Sequence, residues 1–164
     1  MTPDIELMIA STDKLNIINI YRPPSGNISN FIHELTNKIT NLNKVSTIVM
    51  GDFNINFNNS SKHTISLINN LLDNKLINST TVPTRHTDTT ATRIDAIFAP
   101  TNIISNHGVL TTDISDHFTP FLTIKLKREK LKTKPQPYRK LDKETLTLIS
   151  KKLTLMDTHS AWTK

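Results

Sequence analysis

The sequence predicts a layered α/β or α+β body followed by a basic, helix-forming extension. Three features carry this. Runs rich in β-branched residues alternate with two amphipathic helical stripes over the first half of the chain. From residue 93 to 126 strand-like runs follow one another with no helix between them. Near residue 125 the composition turns sharply basic.

Taken in order, residues 5–10 (IELMIA) and 15–21 (LNIINIY) read as two strands around the polar turn STDK. The stretch RPPSGN, with two prolines and Gly26, continues neither a strand nor a helix. From Ile28 a stripe of Phe31, Ile32, Leu35, Ile39 and Leu42 follows helical spacing. A β-branched run, Val45 to Met50, ends at Gly51-Asp52-Phe53-Asn54. A second helix is expected near 64–74, with Ile65, Ile68, Leu71 and Leu72 on its apolar side. Residues 79–92 are polar and read as a loop. Strands resume at 93–98, near 107–111 and at 119–126. A last helix over roughly 142–156 aligns Leu146, Ile149, Leu153 and Met156.

The 164 residues suffice for one ordinary domain and a trailing segment. At 36% hydrophobic and 21% charged residues the chain can bury a core. The absence of cysteine excludes disulfide frameworks, thiolate zinc sites and cysteine nucleophiles. Three scattered glycines cannot spell a dinucleotide-binding GxGxxG or a P-loop. No apolar stretch approaches the ~18–20 residues that span a bilayer, so no membrane role is expected. No secretory leader is evident at MTPDIELMIA. The expected setting is intracellular, not secreted, with the nucleus among the compartments considered.

The formal net charge of +6 is unevenly placed. Lys125 to Lys152 holds eleven basic against three acidic residues, whereas residues 1–124 hold eight against ten. The basic run, broken by Pro135 and Pro137, reads as a solvated linker or as an electrostatic tether to nucleic acid.

Three acids stand at the edges of apolar runs: Asp52 after STIVMG, Asp95 within RIDAIF, and Asp116 before His117. Carboxylates brought together at strand ends repel unless a cation joins them. Mg²⁺ suits such a group, because it takes one or two carboxylates, keeps waters and bridges phosphates. A histidine beside them can carry a proton or bond a phosphoryl oxygen. Each piece also has a plain structural reading. GDFN is a good turn, Asp116-His117 can open a strand, Asp95 can pair with Arg93 or face solvent, and Tyr21 can be an ordinary strand-end aromatic. His33, His63, His86, His107 and His159 show no metal-ligand spacing.

In their order, NIYRPPSG, VMGDFN, PTRHT, TRIDAIF and ISDHF resemble the endonuclease/exonuclease/phosphatase superfamily. More narrowly, they resemble the endonuclease domain of non-LTR (LINE-type) retrotransposons. The tail, YRKLDKETLTLISKKL followed by SAW, is similar to the connector towards a reverse transcriptase in such elements. The resemblance implies a four-layer α/β sandwich of the deoxyribonuclease and apurinic-endonuclease type. It also implies DNA as partner, a reverse transcriptase region in a parent polypeptide, and Mg²⁺ as cofactor, with Mn²⁺ as the alternative.

Residue by residue, the resemblance implies that Asp52 orients and deprotonates the attacking water. Asn54 would bond the scissile phosphate and fix Asp52, and Tyr21 would touch the phosphate through its hydroxyl. Asp116 would help hold the metal, directly or through water. His117 would stabilise phosphoryl charge, oriented by Asp95. The tyrosine motif arrives at residue 21, where the family has more than a hundred preceding residues, among them the metal-binding Glu. Asp4, Glu6 and Asp13 fall where the strand and turn after that Glu belong and are not expected to replace it. Residues 1–126 are therefore expected to form the C-terminal part of such a domain, 127–140 a basic linker and 141–164 a helical connector. Two alternatives are an inactive remnant that binds nucleic acid through the tail, and a phosphoesterase with a non-DNA substrate.

Overall fold

The computed structural model describes residues 4–112, 114–126 and 142–155. The chain divides into two units, Met1–Lys127 and Arg128–Lys164.

The first unit opens with an antiparallel pair, Glu6–Ser11 (β1) and Leu15–Tyr21 (β2). Thr12 closes the turn: its Oγ1 accepts from the backbone N–H of Lys14 and Leu15 and donates to the Leu15 carbonyl. Helix α1 (Ile28–Thr40) begins at Asn27, whose side chain accepts from the Asn30 N–H. It buries Phe31, Ile32, Leu35 and Ile39, the expected stripe. The helix crosses over to Ser46–Asp52 (β3), which pairs parallel with β2.

Strand β3 runs two residues beyond the expected end at Met50, through Gly51 and Asp52. Flanking strands hold it on both sides, with Gly51 opposite Ile20 and Ala96, and Asp52 opposite Tyr21 and Asp95. Gly51 has φ +133, and a Cβ there would run into the Ile20 carbonyl oxygen. Only glycine fits that backbone and that approach.

Helix α2 (Lys62–Asp73) is capped by Ser61. Its face differs in part from the expected one: Leu71 is buried and Ile68 packs against the core, Thr64 and Leu67 are buried beside them, and Ile65 and Leu72 are exposed. Thr64 can occupy the core side because its hydroxyl bonds the Ser61 Oγ in the cap. A polar residue thus sits in the buried row, and an apolarity-based reading places the face about one residue out of phase.

Beyond α2 lie Ile77–Asn78 (β4), Arg85–His86 (β5), Ala91–Thr92 (β6) and Asp95–Ala99 (β7). The expected loop at 79–92 therefore contains a small hairpin, β5–β6, whose polar residues give no strand signal. Ile104–Leu110 (β8) and Thr119–Ile124 (β9) form a separate antiparallel pair. Strand β8 starts three residues earlier than expected. In its first half only Ile104 packs on the core, and the polar run Ser105 to His107 is held by pairing with β9.

The main sheet has the order β1-β2-β3-β7-β4. One face packs on α1 and α2 through Ile18, Ile20, Val49, Ala96 and Phe98. The other packs on the β8–β9 pair through Leu15, Ile48, Ile97 and Ala99 against Ile103, Ile104, Leu122 and Ile124. Coverage of this second face is partial. On its β1 side Met8 is 67% exposed and Tyr21 42% exposed. In the second unit, Lys143–Leu155 (α3) is capped by Asp142, and Leu146, Ile149 and Leu153 are exposed. Met156 and the basic run from 127 to 141 lie outside the described residues. Among the described residues no helix is long and apolar enough to cross a membrane.

Candidate active site

Asp52 ends β3 and Asp95 begins β7, and the two strands pair so that these residues stand directly opposite each other. Directly paired residues share a face of the sheet, so both carboxylates lie at one end of the second face. His117 reaches them from the segment before β9, its Nδ1 3.0 Å from the Asp95 Oδ2. One ligand-capable atom from each of Asp52, Asp95 and His117 falls within 4.8 Å of the others. Asp95 therefore meets His117, not Arg93. Arg93 turns away to donate to the carbonyls of Thr80 and Phe57.

The loop after β3 alternates. Phe53, Ile55 and Phe57 are buried, and Phe53 packs edge-on against Phe31, Phe57 and Phe98 at ring-centroid separations of 6.1, 5.2 and 5.4 Å. These rings anchor the loop in the core while Asp52, Asn54 and Asn56 point elsewhere. Asn54 adopts φ +47, a left-handed conformation that asparagine tolerates better than most residues. Its backbone N–H donates to Asp52 Oδ1 at 2.9 Å and its side-chain amide to Asp52 Oδ2 at 3.1 Å. The second amide hydrogen goes to the Arg22 carbonyl at 2.8 Å. Both amide hydrogens of Asn54 are thus engaged within the loop.

Burial pushes the Asp52 carboxyl above the ordinary aspartate range. The Asn54 N–H opposes that rise, the facing Asp95 charge adds to it, and the charges of His117 and Arg85 oppose it. Two facing carboxylates, one of them raised, form a donor set that suits a hard divalent cation.

Asp116, expected to help hold the metal, lies outside the Asp52–Asp95–His117 group. It is exposed and accepts from Arg85 Nε at 2.7 Å, and that bond holds its carboxyl below the usual range. Tyr21 pairs in register with Asp52 on the same face of the sheet. Asp4 caps the start of α1, accepting from the Asn27 N–H and the Asn30 side chain, and Glu6 is an exposed residue opposite Tyr21.

Other residues that shape the site carry little sequence signal. Thr84 is fully buried, and its Oγ1 accepts from the backbone N–H of Ile94 and Asp95. Its carbonyl accepts from the Phe118 N–H, tying the Asp95 and His117 segments together. Ser115 Oγ accepts from the His117 N–H and donates to the His117 carbonyl. Arg22 donates to three backbone carbonyls around the Asp52 loop. The PTR and SDH motifs flag Thr84 and Ser115, but the carbonyl partners of Arg22 leave no trace in sequence.

A sequence profile of the endonuclease–reverse transcriptase family, of endonuclease/exonuclease/phosphatase type, matches residues 15–120. The chain belongs to this family. No curated protein sequence matches it. The endonuclease domain of TRAS1, a telomere-specific non-LTR retrotransposon, superposes with a TM-score of 0.60 at 21% identity. The match covers 76% of this chain and 63% of that domain. An endonuclease/exonuclease/phosphatase family protein from Leptotrichia buccalis matches with a TM-score of 0.50 at 17% identity, over 74% of this chain and 54% of that one. One from Bacteroides thetaiotaomicron matches with 0.51 at 19%, over 67% and 48%. The mixed α/β fold is that of these endonucleases and phosphoesterases. This family member spans less than two thirds of the length of each.

Proposed function

We propose that the chain is the C-terminal part of a Mg²⁺-dependent DNA-nicking endonuclease of the retrotransposon type. The convergence of Asp52, Asp95 and His117 at one end of the sheet, with Asn54 fixing Asp52, carries the reading. In this reading residues 127–140 are a linker and 141–164 a connector towards a reverse transcriptase. The match to 63% of the TRAS1 domain is consistent with further chain completing the site.

Asp52 takes a proton from the water that attacks the phosphodiester, while Asn54 keeps both carboxylate oxygens in place. Asn54 would release one of its two amide bonds to reach the scissile phosphate, while its backbone N–H keeps Asp52 in place. His117 turns Nδ1 to Asp95 and is left with Nε2 to face a phosphoryl oxygen. Tyr21 borders the same face beside Asp52 and would contact the phosphate. A bound divalent ion would polarise the phosphate and stabilise the leaving oxygen. Asp52 and Asp95 would supply the attracting charge for it, and Asp116 would reach it through water. Mn²⁺ would serve in its place.

The test is nicking of supercoiled plasmid by the 164-residue chain, alone and with chelator. The expected result is Mg²⁺-dependent nicking that chelation and Asp52→Ala each abolish. No nicking by the pure chain overturns activity of this chain by itself. Nicking that survives Asp52→Ala overturns the role of Asp52.

A further inference from the structure

Among the described residues of the first unit Arg22 is the most deeply buried charged one, 3% exposed, and none of their carboxylates is hydrogen-bonded to it. Its Nε donates to the Phe53 carbonyl at 2.8 Å, Nη2 to the Asn54 carbonyl at 2.7 Å, and Nη1 to the Gly26 carbonyl at 2.9 Å. Its backbone N–H donates to the Asp52 carbonyl, and its own carbonyl accepts from the Asn54 side chain. One residue thus holds each member of the Asp52–Phe53–Asn54 run. Burying a cation is costly unless its donors are satisfied, and an apolar side chain would fill the space at lower cost. The feature that needs an arginine is the loop it grips. Asn54 sits at φ +47, a conformation that persists only where its surroundings hold it.

We propose that Arg22 is the positioning residue of the Asp52 loop: its guanidinium fixes the Phe53 and Asn54 carbonyls and so sets the backbone from which Asn54 grips the Asp52 carboxylate. The importance of that grip rests on the reading of Asp52 as the general base. A lysine would keep the charge but lose the planar fork that reaches three carbonyls together. Arg93 is the control. It also clamps backbone carbonyls, those of Thr80 and Phe57, and hydrogen-bonds neither Asp52 nor Asn54.

The experiment compares Arg22→Lys with Arg93→Lys in the full chain. It reads solvent exchange of the Asn54 side-chain amide by NMR alongside the steady-state constants for plasmid nicking. Arg22→Lys is expected to speed Asn54 amide exchange roughly tenfold and to lower kcat on the order of a hundredfold, with KM for DNA little changed. Arg93→Lys is expected to leave Asn54 exchange as it is. Unchanged exchange in Arg22→Lys, or equal acceleration in both variants, overturns the proposal. If Arg22→Lys does not fold, the unsubstituted protein decides: a protected Arg22 Nε–H supports the clamp and rapid exchange of it overturns the clamp. Absence of nicking in the parent chain would remove its activity by itself and leave the exchange measurement able to decide the role of Arg22.

Discussion

In the proposed reaction Asp52 has two opposed tasks: to lie partly buried beside another carboxylate, and to be ionised when water must lose a proton. Burial raises its pKa above the ordinary 3.8, which makes it a better proton acceptor once ionised and harder to ionise. Nicking should therefore rise with pH through a midpoint above the usual aspartate range, because the protonated form cannot accept a proton. Stability should move the other way. Between pH 3.8 and the folded-state value the folded protein binds more protons than the unfolded chain, so stability falls as pH rises. The penalty is full above that window and absent below it. Asp52→Asn, which has no proton to gain, is thus expected to lack the rise in stability that the parent shows as pH falls through this window. An equal rise in both proteins, read by thermal melts across pH, would remove Asp52 as its cause. Thr84 offers a second single-residue case. Thr84→Val leaves the buried N–H groups of Ile94 and Asp95 without their acceptor, a cost of about 1–3 kcal/mol for an unsatisfied group. Chemical denaturation should show that loss, and Thr84→Ser should recover most of it.

At the scale of elements, α2 separates apolarity from burial. Leu67→Ala is expected to cost about 2–5 kcal/mol. Ile65→Gln and Leu72→Gln, on the exposed side, should stay within about 0.5 kcal/mol of the parent. Thermal melts of the three variants check this directly; a large loss at Ile65 would restore the face read from apolarity. The same contrast explains what was legible beforehand. Strands β1 and β2 and helix α1 were readable because side-chain pattern and burial coincide in them. The two-residue strands β4, β5 and β6 were not, since so short a strand has no period and is held by backbone pairing. The site divides in the same way. Asp52, Asp95 and the histidine beside them were readable as residue types that suit phosphoryl chemistry at strand ends, whereas Asp116, read with them, pairs with Arg85 instead. Arg22 was hidden because its partners are peptide carbonyls, which every residue carries.

At the scale of the whole molecule, the second face of the sheet is only partly covered among the described residues. The β8–β9 pair covers its β3–β7 side and leaves Met8 and Tyr21 in water at the β1 side. Exposed apolar surface on a sheet invites association, so the purified 164-residue chain is expected to self-associate at micromolar concentration. Sedimentation velocity across a concentration series checks this, and Met8→Lys should weaken the association. A single monomeric species with a sharp cooperative melt would show that the face needs no cover.

The two backbone-clamping arginines carry one more consequence, for acid tolerance. The acceptors they grip, the carbonyls of Gly26, Phe53 and Asn54 for Arg22 and of Phe57 and Thr80 for Arg93, have no proton to gain in the pH range of a carboxylate. Had the clamp on the Asp52 loop been an ion pair, acid that protonates Asp52 would also have loosened that grip. With carbonyl acceptors, the Asp52 carboxylate can gain and lose its proton while these arginine bonds stay made.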